Sequence, residues 1–135
     1  MKRPPRQRER SEQAGIVQLL RSLGAQVYVL GTTRRRGDHP GTMQTAGLPD
    51  LIVFLYTAPA RRQAGLLFPR RLLYVEVKAP GGRLRPQQVQ FRDCCAEARV
   101  DHLVGGLDAV IAWLIAEGYL QSNQVPHYRG EKAVI

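Results

Sequence analysis

A chain of 135 residues with 44% hydrophobic side chains has room for one hydrophobic core and no second. Its 20 Lys+Arg against 11 Asp+Glu leave a net charge of +9, the balance of a protein that meets a polyanion. That composition excludes a helical membrane protein, because no apolar run nears the roughly 20 residues that span a bilayer. It also excludes a disulfide-framed or structural-zinc domain, because the only cysteines are the adjacent Cys94 and Cys95.

Residues 1–8 carry two prolines and four cations and read as a flexible basic arm. No apolar stretch follows it, so it is not a secretory signal and an intracellular protein is expected. From Glu9 to Leu23, Ile16, Val17, Leu20 and Leu23 recur at helical spacing, and Gly24 stops the run. Residues 26–30 alternate like a strand. Residues 31–47 then contain four glycines, a proline and the run Arg34-Arg35-Arg36, a long loop of the kind that serves function or stays disordered. Residues 50–56 and 71–78 read as strands separated by a Pro/Arg/Gly-containing stretch. Pro86 suits the first turn of a helix to about Ala98. A short strand over 100–104, the Gly105-Gly106 pair and a helix over 107–117 complete the series, and residues 119–135 read as a tail. The expected fold class is α/β, a mixed sheet flanked by helices in the order α-β-β-β-α-β-α.

The chemistry concentrates on two of these strands. Along 71–78 side chains alternate, so Leu72, Tyr74, Glu76 and Lys78 share one face and Leu73, Val75 and Val77 the other. Of the 20 cations 17 are Arg, and one of only three lysines stands at this strand end. Lys offers a compact charge and a tunable pKa that Arg does not. Asp50 follows Gly47-Leu48-Pro49 at the mouth of the strand 50–56. Standing alone it is a turn aspartate, but if the two strands pair, Asp50 and Glu76 converge. Two carboxylates beside a backbone carbonyl make a hard-oxygen site for Mg²⁺ or Mn²⁺. Lys78 beside that ion suits metal-assisted phosphodiester hydrolysis.

Two positions stay open on periodicity alone. Glu12 lies four residues before Ile16 and eight before Leu20, on the buried stripe of the first helix, where a carboxylate needs a cationic or metal partner. Glu9 lies near the same face. On the second helix either Gln87 or Gln88 falls on one face with Phe91. The cysteines read as core residues of that helix. His102 reads as a hydrogen-bonded structural histidine, Trp113 as a core residue or interface anchor, and His39 as a residue of the Arg-rich loop without metal-ligand spacing.

Gly47-Leu48-Pro49-Asp50 followed by Glu76-Val77-Lys78 resembles the PD-(D/E)xK nuclease signature. The continuation through Lys78-Ala79-Pro80, Arg83-Leu84 and Gln88 resembles its VRR-NUC branch over roughly residues 11–118, which places the domain at 9–118. What the resemblance implies is a metal-dependent DNA endonuclease. Asp50, Glu76 and the Val77 carbonyl would bind Mg²⁺ or Mn²⁺, with Glu12, selected over Glu9, assisting directly or through water. Lys78 would orient the attacking water, and Gln88, selected over Gln87, would hold Lys78 or that water. The products would be a 3′-OH and a 5′-phosphate.

Arg34, Arg35, Arg36, Arg83 and Arg85 are the expected nucleic-acid contacts. Small stand-alone members of the branch resemble homodimeric Holliday-junction resolvases, so branched DNA and a second copy of the chain are the expected partners. A flap or end-processing nuclease is the alternative within that class. A non-catalytic basic DNA-binding module is the alternative outside it, and it leaves two acids near the phosphate path unexplained.

Overall fold

The structure, a computed structural model, describes residues 5–30, 45–56 and 71–123. Its elements are α1 (Pro5–Ser22), β1 (Gln26–Val29), β2 (Leu51–Leu55), β3 (Arg71–Val77), α2 (Pro86–Ala98), β4 (Asp101–Gly105) and α3 (Leu107–Ala116). This is the expected order. The strands form one sheet, β1-β2-β3-β4. β1 pairs antiparallel with β2 and β2 with β3, while β4 joins β3 in parallel, which requires the crossover that α2 provides.

The alternation in β2 and β3 decides which side is core. Leu51, Val53 and Leu55 of β2 and Leu73, Val75 and Val77 of β3 are buried with Ile16, Leu19 and Leu20 of α1 and Val110, Ile111 and Leu114 of α3. On the other face of β3, Tyr74 meets Phe91 of α2 edge to face at 5.1 Å, and Phe91 lies 5.8 Å from the His102 ring. Glu76, four per cent exposed, is the buried charged residue on this side of the sheet. At the opposite end of β3, Arg71 pairs with Asp101 and with Glu117, each at 2.6 Å, and covers the Trp113 ring. That end therefore ties β3 to β4 and α3, leaving the Glu76 end to carry chemistry.

Several boundaries and environments differ from the sequence reading. α1 begins at Pro5, inside the stretch read as an arm, and the Nε of Arg8 is buried without a hydrogen-bond partner among the described residues. Beyond residue 118 the chain still belongs to the core, since Leu120 is buried and Tyr119 stacks on Trp113. Cys95 is buried but Cys94 is exposed, because neighbouring positions on a helix cannot share a face. The Nδ1 of His102 is buried with no hydrogen-bond partner among the described residues, and burial together with the Arg92 charge holds its pKa below the ordinary value. Arg34, Arg35, Arg36 and His39 lie outside the described residues. No helix among the described residues is long and apolar enough to cross a membrane.

Candidate active site

Strand register brings the first two residues together. Leu51 stands opposite Val75, so Asp50, one residue before β2, stands opposite Glu76. The ladder continues through Asp50 itself. Its N–H donates to the Val75 carbonyl at 3.1 Å, and its Oδ2 accepts the Val77 N–H at 2.8 Å. One carboxylate is thereby fixed on the strand that carries the other. The loop before it passes close to α2. Gly47 has a φ of +95°, and a Cβ there would lie 2.6 Å from the Gln87 carbonyl oxygen, so only glycine fits.

α2 contributes Gln88. Its Oε1 accepts the Arg85 N–H at 2.8 Å, the capping arrangement of the helix start, and that bond turns its amide so that Nε2 donates to Glu76 Oε2 at 2.9 Å. Sequence reasoning gives Gln88 a partner in Lys78 or a water; in the structure the partner is Glu76. Lys78 Nζ lies 3.8 Å from the same Oε2. One carboxylate oxygen thus faces both an amide and an ammonium. Arg83 and Arg85 are exposed in the turn from Lys78 into α2.

Electrostatically the site holds too much negative charge for its solvation. Burial raises the Glu76 pKa from 4.5 to about 8; the Asp50 charge adds to the shift, Lys78 opposes it, and a hydrogen bond with Asp50 and the Glu9 charge add further. A cation would relieve this crowding. Among the described residues no three or more His, Cys, Asp or Glu side chains gather closely enough to hold one together. The carboxylate donors available are therefore two, Asp50 and Glu76, to be completed by a backbone carbonyl and water, a hard-oxygen set that fits Mg²⁺ or Mn²⁺.

Residues 42–106, which hold Asp50, Glu76, Lys78 and Gln88, match the family model of the VRR-NUC domain. Over those residues the chain resembles the VRR-NUC domain. The match is consistent with the PD-(D/E)xK reading of Asp50, Glu76 and Lys78. A solved structure titled "VRR_NUC domain" is similar in fold, with a TM-score of 0.54 at 21% identity, over 81% of this chain and 95% of that one. No curated protein matches the chain.

Glu12 takes a place that spacing did not foresee. Its Oε1 accepts the Leu107 N–H at 2.6 Å, at the start of α3. The partner required by a carboxylate on a buried helical stripe is therefore the positive end of another helix. Glu9, the rival, is the first-helix acid whose charge raises the Glu76 pKa. Sequence reasoning also passed over Gly47 and Gly106 as constrained positions. For Gly47 the signal was present, since it directly precedes Leu48-Pro49-Asp50. For Gly106 it lay in a side chain far away in sequence.

Proposed function

We propose that the chain is a divalent-metal-dependent endonuclease that hydrolyses phosphodiester bonds in branched DNA, four-way junctions above all, leaving a 3′-OH and a 5′-phosphate. The observation that carries this reading is the convergence of Asp50, Glu76 and Lys78 at one strand end. Two acids there would repel DNA unless a cation intervened. Asp50, Glu76 and the Val77 carbonyl would hold Mg²⁺ or Mn²⁺. A divalent ion bound there would supply Lewis-acid chemistry to a water and to the phosphoryl oxygens. Lys78 orients the attacking water and balances charge that develops on the non-bridging phosphoryl oxygens, an interaction strongest in the transition state. Gln88 holds the Glu76 carboxylate at a fixed angle. Arg83 and Arg85, with Arg34, Arg35 and Arg36, track flanking phosphates.

Labelled junctions, flaps, nicked duplex and single strands incubated with either metal test the reading. Glu76→Ala and Lys78→Ala should each lose cleavage by roughly 10²-fold or more, the scale of deleting a charge-stabilising group. In metal-free buffer Glu76→Ala should bind junctions as well as the wild type, since a repulsive acid is gone, and Lys78→Ala only slightly less well. Variants that cut as fast as the wild type would remove these two residues from the chemistry. A wild type that binds tightly and cuts nothing would make the domain a binding module, and preferential cutting of flaps or ends would replace the junction substrate.

Symmetric cutting of a junction needs two active sites, most simply in a two-fold dimer. Light scattering should then give twice the 15.1 kDa of one chain. A monomer that stays monomeric on junction DNA would favour flap or end processing.

A further inference from the structure

Glu12 belongs to α1, yet its hydrogen bond to the Leu107 N–H joins positions 95 residues apart. Leu107 opens α3, whose N-cap is Gly106 and supplies no side-chain acceptor of its own. A helix start without a cap leaves orphan N–H donors and the positive end of the dipole, and the Glu12 carboxylate answers both. The fit is close, for a Cβ on Gly106 would run into that carboxylate. The preceding residue, Gly105, accepts the N–H of Lys78 at 3.0 Å through its carbonyl. Glu12, Gly105, Gly106 and Lys78 also line one cleft of about 350 Å³.

We propose that Glu12 is a positioning residue for Lys78. By holding the first turn of α3 it fixes the Gly105-Gly106 turn, and through the Gly105 carbonyl it fixes the backbone from which Lys78 reaches its phosphate. The inference rests on the nuclease reading above. What it requires of Glu12 is an acceptor at the right reach rather than a charge. The donor geometry agrees, since Glu12 joins no cluster of three acids with Asp50 and Glu76.

Reach and charge are separable. Glu12→Gln keeps the length and an acceptor and drops the charge, whereas Glu12→Asp keeps the charge and falls one methylene short. On a junction substrate with Mn²⁺, Glu12→Gln should keep kcat within about 3-fold of the wild type. Glu12→Asp should lower kcat by about 10-fold or more with KM and metal-free DNA affinity within about 2-fold, the signature of a displaced reacting group. Gly106→Ala attacks the same contact from the other side and should reproduce the fall in kcat; it also serves if Glu12→Asp does not fold. Mn²⁺ titrated into each metal-free variant should bind as it binds to the wild type.

A Glu12→Gln variant as impaired as Glu12→Asp, or one with weakened Mn²⁺ binding, would overturn the proposal in favour of a charge or ligand role. So would an unimpaired Glu12→Asp or Gly106→Ala in a protein that otherwise cuts. A wild type that cuts no substrate would overturn the nuclease reading itself, and this proposal with it.

Discussion

Glu76 is held in the fold at the expense of its ionised form. Its ordinary pKa of 4.5 rises to about 8, chiefly because it is buried and then because Asp50 stands beside it. Below the lower value both folded and unfolded chains carry the proton, and the contribution to stability is full. As pH rises through the window the unfolded chain releases its proton while the folded one keeps it, so stability falls until pH passes about 8. In chelator, the melting temperature of the wild type should therefore decline relative to that of Glu76→Gln between about pH 5 and pH 8. A constant gap between the two melting temperatures would mean that Glu76 ionises normally in the folded protein. A cation competing with this proton should bind more tightly as pH rises through the same window, which calorimetric titration of Mn²⁺ would read directly.

At the scale of elements, the close passage of the 45–50 loop over α2 is the tightest constraint on Asp50. Gly47→Ala introduces both a left-handed alanine and a collision with the Gln87 backbone. It should destabilise by about 1–3 kcal/mol or more in urea unfolding. Gly81, at φ +82° with nothing within 4 Å of an added Cβ, isolates the backbone part. Gly81→Ala should cost about 1 kcal/mol, and equal costs for the two would show that the collision is absorbed. The paired strands β2 and β3 were legible in the sequence because each is a short apolar run bounded by turn-forming or Pro/Arg/Gly-containing stretches, and Pro86 marked the start of α2 directly. α1 was misjudged at its beginning because Pro5 to Arg10 includes no apolar repeat, although Gln, Glu and Arg are good helix formers. Asp50, Glu76 and Lys78 could be brought together by strand pairing alone. The partners of Glu12 and Gln88 could not, since one depends on an uncapped helix start 95 residues away and the other on an amide turned by a backbone N–H.

For the molecule as a whole, net charge is the governing quantity. If the Arg-rich segments cover about 6–10 phosphates, DNA affinity should fall by about 10³–10⁵-fold between 50 and 200 mM salt. Filter binding or anisotropy across that range would measure it, and a nearly flat response would exclude a phosphate-tracking surface.

The mixed pairing of the sheet also sets the sequence of assembly. β1, β2 and β3 join neighbour to neighbour in antiparallel ladders, whereas β4 arrives in parallel only after α2 has crossed the sheet. Asp50 and Glu76 meet as soon as β2 finds β3. The Lys78 N–H must wait for Gly105, and Glu12 for Leu107, because β4 and α3 follow β3 along the chain. A chain still emerging from synthesis would thus hold its pair of acids before the lysine's backbone is anchored. If the domain cuts DNA as proposed, that capacity would arrive with the last element to dock.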